Sequence, residues 1–70
     1  MKKISVSLSG HQTSISLEQE FLEMLHKIAN IKNISVAGLI SEIDDNRKTG
    51  QNLSSAIRVW ILDYILKNHI

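Results

Sequence analysis

The sequence predicts a mainly α-helical fold with a short β-ribbon at its N-terminal end. Residues 4–17 contain nearly the same phrase twice, SVSL and SISL. Alternation of small polar and aliphatic residues is typical of a strand with one buried face. After residue 17 the apolar spacing becomes that of amphipathic helices, in three successive segments. The 70 residues include no Cys, so we expect one domain, residues 1–70, that gains stability from a second subunit rather than from disulfides.

The N-terminal region divides into two strands, at about residues 4–8 and 11–17. A turn signal, Ser9-Gly10-His11, separates them. Alternation places the side chains of the second strand on two faces. One face is expected to carry Thr13, Ile15 and Leu17, and the other Gln12, Ser14 and Ser16.

The first helix is predicted at about residues 18–31. Its apolar stripe consists of Phe21, Leu22, Leu25, Ile28 and Ala29. Ser16 and Gln19 have the spacing of a capping box, which would start the helix. Asn33 tolerates the left-handed conformation that commonly ends a helix.

The second helix is predicted at about residues 35–46, with Ser35 as its N-cap. Its apolar stripe consists of Val36, Leu39, Ile40 and Ile43. Gly38 lies inside it and costs about 1 kcal/mol relative to Ala. Two interpretations stay open, a tolerated cost and the close approach of another backbone.

The third helix is predicted at about residues 53–68, capped by Asn52. Apolar residues cover more than one stripe of it, which favours burial on two sides. In so short a chain, we expect the second side to contact another subunit.

Composition and motifs argue against several functions. The net charge of +1 is too small for a protein that coats nucleic acid non-specifically. No apolar run is long enough for a transmembrane helix, and no signal peptide is evident, so we expect a cytoplasmic protein. No nucleophile elbow, Gly-rich phosphate loop or paired His spacing occurs, so we expect no enzyme, no metal and no cofactor.

Residues 11–46 resemble the ribbon-helix-helix family of DNA-binding proteins, the group of the Arc and methionine repressors. The resemblance rests on the strand TSISL, the stripe of the first helix and the turn Asn33-Ile34-Ser35. His11 and the tail NLSSAIRVW make the chain similar to the small members that carry an extra C-terminal helix.

The resemblance implies an intertwined homodimer in which the strands of two chains form one ribbon and enter the DNA major groove. Gln12, Ser14 and Ser16 would contact bases, since short polar side chains fit the groove and hydrogen-bond to base edges. The expected dimer core comprises Thr13, Ile15, Leu17, Phe21, Leu25, Leu39, Ile40 and Ile43. The expected phosphate contacts are Ser35 and Val36 at a helix N-terminus, together with Lys2, Lys3 and His11.

Several alternatives remain open at this stage. The first strand could pair with the ribbon edge or become ordered only on DNA. A second hypothesis is a protein-interaction module, antitoxin-like or an assembly adaptor, that uses the third helix and binds DNA weakly or not at all. Residues 54–58, SSAIR, also resemble the start of the family's second helix, which would make the predicted second helix an insertion.

Overall fold

The computed structural model describes residues 1–69, which form an antiparallel hairpin followed by three helices. The elements are β1 (Lys2–Leu8), β2 (His11–Leu17), α1 (Gln19–Ile31), α2 (Val36–Asp45) and α3 (Leu53–Asn68). This order confirms the predicted fold class for the single chain. Within residues 1–69, no helix has the length and hydropathy needed to cross a membrane.

The hairpin turns through two residues with positive φ, Ser9 at 51° and Gly10 at 80°. Positive φ at both central residues is the requirement of a type I′ turn, whose twist matches that of the strands. The strand pairs run from Leu8 opposite His11 to Lys2 opposite Leu17. The first strand therefore pairs with the second strand of its own chain.

The start of α1 differs from the prediction. Glu18 is the N-cap and its side chain makes no capping hydrogen bond. The predicted capping box is wrong, because Ser16 still belongs to β2 and the Gln19 side-chain amide instead donates to Glu23 at 3.0 Å. The helix enters directly from the strand.

The turn between α1 and α2 is fixed by backbone hydrogen bonds. Asn33 has φ of 58°, and its N–H donates to the Asn30 carbonyl at 3.1 Å, while the Ile34 N–H donates to the Ala29 carbonyl at 3.0 Å. This pair of bonds is the Schellman motif, which ends a helix on a left-handed residue. Asn33 thus has the predicted role.

Ser35 caps α2, as predicted, because its hydroxyl accepts from the Gly38 N–H at 2.9 Å. A Cβ at Gly38 would lie 3.1 Å from the Ser35 Oγ, and within residues 1–69 no other segment approaches it within 4 Å. No backbone of the same chain therefore accounts for the glycine, and close approach of a partner's backbone stays a prediction. Gly38 leaves room for the capping hydroxyl.

The third helix begins after Asn52, whose side chain accepts from the Ser55 N–H at 3.2 Å. Its buried residues are Ala56, Ile57 and Ile61. On the opposite side Val59, Leu62 and Leu66 are 61%, 55% and 68% exposed. The second side, expected to contact another subunit, is uncovered in the single chain.

One hydrophobic core lies between the inner face of the hairpin and the three helices. Leu17, Leu25, Leu39, Ile40 and Ile57 are fully buried in it. Strand β1 adds Val6 and Leu8 to this core. Within the single chain, β1 contacts α2 and α3 contacts β2, so both elements contribute to covering the core.

Candidate nucleic-acid interface

The outer face of the hairpin is polar along both strands. The residues that point away from the core are Lys3, Ser5 and Ser7 on β1, and Gln12, Ser14 and Ser16 on β2. All are exposed except Ser16, which is half-buried. The register places Ser7 opposite Gln12, Ser5 opposite Ser14 and Lys3 opposite Ser16.

The geometry of the turn decides which strand positions face the open edges. In a hairpin with a two-residue loop, the residues that flank the loop, here Leu8 and His11, form a hydrogen-bonded pair. Pairs then alternate, so those at Gln12, Ser14 and Ser16 are not hydrogen-bonded across the hairpin. Their N–H and C=O groups point to the free edge of β2, and their side chains lie close to those of β1, with Cβ separations of about 5 Å.

The inner face of the hairpin holds this polar face in place. Ile15 and Leu17 are buried and Thr13 is half-buried, in the alternation that the sequence predicts. A one-residue slip of β2 would expose both aliphatic residues and bury serines, so burial fixes which side chains point outward.

The N-terminus of α2 offers a second polar group to a ligand. Val36 is half-buried and Ala37 is exposed, and within residues 1–69 neither backbone N–H has an acceptor. The Ser35 hydroxyl uses its acceptor on Gly38 and keeps a proton to donate. Free amides and the positive end of the helix dipole together favour an anionic group such as phosphate.

The lysines of the hairpin lie at the N-terminal end of β1, away from the turn. Lys2 and Lys3 are exposed and form no ion pair within residues 1–69. Their position leaves both ammonium groups available to an anionic partner. His11 is exposed at the other end of the hairpin, beside the turn.

An ion pair joins α3 to the end of the polar strand. The Arg58 Nε donates to the Glu18 Oε1 at 2.7 Å, and its second nitrogen lies 3.2 Å from Oε2. The hydrogen bonds from Arg58 lower the pKa of the Glu18 carboxyl, and a hydrogen bond from the backbone N–H of Glu18 lowers this pKa further. Because Glu18 directly follows β2, this bidentate ion pair restrains the end of the strand at the point where the chain passes into α1.

These features fit the architecture implied by the resemblance, and a comparison with family models shows to which family the chain belongs. The model described as a ribbon-helix-helix domain matches residues 1–65. The chain belongs to the ribbon-helix-helix family. Comparison of the chain with curated proteins and with solved structures gives no significant match.

Membership of the ribbon-helix-helix family carries a general function. Its members are in general DNA-binding transcription regulators or antitoxins, and they typically bind DNA as dimers through a non-enzymatic fold. The matched region is wider than residues 11–46, on which the sequence resemblance rested. It includes β1 and most of α3, so both belong to the ribbon-helix-helix domain matched here.

The predicted site residues fall into two groups in this ribbon-helix-helix chain. Those expected to contact bases share the outer face of β2, with Lys3 beside them, whereas Ser35 and Val36 lie apart at the start of α2. Most residues expected in the dimer core are buried inside the single chain, and Phe21 and Thr13 are half-buried. Base contact, phosphate contact and the dimer stay predictions.

Sequence reasoning left Ser5 and Ser7 out of the candidate site, although they lie on the same face as Ser14 and Gln12. A signal was present in the repeated phrase and in the two-residue turn. Two strands of equal alternation around such a turn place matching residues opposite each other. The sequence pattern alone, however, does not determine whether the second strand pairs with the first strand of its own chain or with a strand of another subunit.

Proposed function

We propose that this protein is a sequence-specific double-stranded DNA-binding regulator, a repressor, which acts in the cytoplasm as a homodimer. A two-stranded antiparallel ribbon, one strand of which is β2, enters the major groove. The observation that carries the proposal is the outer face of β2, held outward by the burial of Ile15 and Leu17 in a chain of the ribbon-helix-helix family.

The chemistry of that face suits base edges. The Gln12 amide can donate and accept together, which matches the N6 and N7 atoms of adenine. The hydroxyls of Ser14 and Ser16 donate or accept and are short enough to let the backbone approach the bases. A face of long charged side chains would hold the ribbon farther from the groove floor.

Contacts to the DNA backbone are assigned to five other positions. Ser35 and the amides of Val36 and Ala37 bind one phosphate at the N-terminus of α2. Lys2 and Lys3 neutralise phosphates beside the ribbon. These contacts orient the protein on the duplex and carry no base preference.

The test is a selection of randomised DNA duplexes by the purified protein at fixed moderate salt. Enrichment of a short inverted repeat supports a two-fold reader. The Gln12→Ala variant should then lose preference at one position in each half-site, at a cost of about 1–3 kcal/mol. If replacing Gln12, Ser14 and Ser16 together with Ala left binding to the best site unchanged, ribbon reading by β2 would be refuted.

A second candidate function is favoured by the exposed apolar stripe of α3, formed by Val59, Leu62 and Leu66. It is binding of a protein partner, either antitoxin-like or as an assembly adaptor. Trp60 adjoins the stripe, is half-buried, and stacks on Tyr64 with ring centroids 5.3 Å apart. Trp60 emission that is blue-shifted and resistant to quencher in the isolated protein would count against an open partner surface there.

A further inference from the structure

We propose that β1 is also a reading strand, so that the ribbon in the groove is the β1–β2 hairpin of a single chain. Ser5 and Ser7 then contact base edges beside Ser14 and Gln12. The inference rests on the proposed DNA binding and deepens it, because it assigns the second strand of the ribbon to β1 instead of the β2 of a partner subunit.

The register supports this assignment. The outward positions of β1 and β2 are directly opposite each other in three successive pairs, so their side chains form one surface. Ser5 and Ser7 are exposed, like Ser14 and Gln12, and no hydrogen bond within residues 1–69 engages their hydroxyls. A ligand that reaches the face of β2 therefore meets the face of β1 as well.

The width of the major groove separates the two possible ribbons. Neighbouring strands lie about 4.8 Å apart, so a two-stranded hairpin is narrow enough for a groove that is ~12 Å wide. If β2 paired with the β2 of a second chain, both β1 strands would remain on the outside. The resulting four strands would span about 14 Å between the outer backbones alone, which exceeds the width of the groove.

The chemistry of β1 agrees with a reading role. Its outward side chains are Ser7, Ser5 and, towards the N-terminus, Lys3, whereas the adjacent Lys2 is exposed but lies opposite Leu17 on the other face of the hairpin. Ser5 therefore lies at the middle of the strand and Ser7 nearer the turn, whereas the two lysines lie at the end away from the turn, where they can reach phosphates at the groove rim. The face carries no acidic side chain that would repel DNA.

The experiment compares five proteins in the same duplex selection and in titrations against the best wild-type site. They are the wild type, Ser5→Ala/Ser7→Ala and Ser5→Thr/Ser7→Thr on β1, Gln12→Ala/Ser14→Ala on β2, and Ser55→Ala as the control. Ser55 is an exposed helical serine of α3 outside the hairpin. Its backbone N–H donates to the Asn52 side chain that caps the start of the helix, so the Ala substitution keeps this hydrogen bond. Circular dichroism establishes that each variant is folded before binding is measured.

We expect Ser5→Ala/Ser7→Ala to bind about tenfold more weakly than wild type and to lose base preference at defined positions. Those positions should differ from the ones that Gln12→Ala/Ser14→Ala relaxes, while Ser55→Ala matches wild type. A Ser5→Thr/Ser7→Thr variant, which keeps both hydroxyls on a strand that tolerates Thr, should retain more of the preference than the alanine variant.

Three outcomes overturn the assignment in different ways. If the β2 variant loses preference and the β1 variant does not, β1 is not a reading strand and the proposed DNA binding stands. If the β1 variant loses affinity with its base preference intact, β1 contacts only the DNA backbone. If the folded wild type enriches no sequence, sequence-specific recognition fails, and the inference about β1 fails with it.

Discussion

Replacing Gly38 with Ala changes two contributions to stability that oppose each other. An alanine is favoured over glycine within a helix by up to about 1 kcal/mol. The added Cβ, however, lies 3.1 Å from the Ser35 Oγ, which is closer than ordinary van der Waals contact. The serine hydroxyl must therefore move by a few tenths of an ångström, which strains its 2.9 Å bond from the Gly38 N–H.

The stability lost through this strain can be estimated from the stability that the Ser35 N-cap contributes. Removing an N-cap hydroxyl by Ser→Ala typically costs about 1 kcal/mol. If the Cβ disrupts most of the Ser35 cap, Gly38→Ala alone should leave the free energy of unfolding within about 0.5 kcal/mol of wild type. In a Ser35→Ala background no hydroxyl is present, so the same substitution should stabilise the protein by up to about 1 kcal/mol.

The assay is a double-mutant cycle measured by urea unfolding and followed by circular dichroism. The expected result is a coupling of about 0.5–1 kcal/mol between the two positions, since residues in direct contact are not additive. A stabilisation by Gly38→Ala that is the same in both backgrounds would refute the view that Gly38 serves the cap. Thermal unfolding gives an independent reading, because 1 kcal/mol corresponds to about 4–8 °C in a domain of this size.

Three further predictions concern the hairpin and its attachment. Ser9 has a positive φ that Asn adopts more readily, so Ser9→Asn should stabilise the protein by about 0.5–1 kcal/mol, observed as a higher Tm, whereas Ser9→Val should lower it. The hydrogen bonds from Arg58 lower the pKa of Glu18 in the folded chain. The ion pair therefore stabilises the fold at pH values above the unfolded-state pKa of Glu18, and this stabilisation is lost as the pH falls through its folded-state pKa. Glu18→Gln should therefore weaken the acid dependence of the free energy of unfolding between neutral and acidic pH, and an unchanged pH profile would contradict the role given to the pair. Replacing Lys2 and Lys3 with Ala should lower the slope of log affinity for DNA against log salt by about 2 per chain, with base preference unchanged; an unchanged slope would remove them from the phosphate contacts.

Local signals in the sequence predicted most of the elements because caps and turns depend on few neighbours. Ser35 and Asn52 cap their helices as expected, and Asn33 ends α1. The predicted cap at Ser16 was wrong because the same residues also satisfy the strand pattern, and Ser16 pairs with Lys3 inside β2, which ends at Leu17 as predicted. Competition between a local motif and a tertiary contact is not visible in one sequence.

The candidate site was predicted only on one strand for a similar reason. Alternation shows which residues share a face, but it does not identify the strand that lies alongside. Likewise, periodicity marks Leu25 and Ile40 as core residues without stating whether one chain or two surround them. The structure supplies both answers for the single chain, through β1 at the side of β2 and α3 beneath the sheet.

The contact between Arg58 and Glu18 has a consequence for how the two surfaces of the molecule communicate. Arg58 immediately precedes Val59 of the exposed stripe on α3, and Glu18 immediately follows the polar strand. The two residues are 40 positions apart in the chain, so the contact joins the first half of α3 to the point where β2 ends. A partner that displaced α3 on binding the stripe would break this contact, and the end of β2 would lose the restraint that Arg58 supplies.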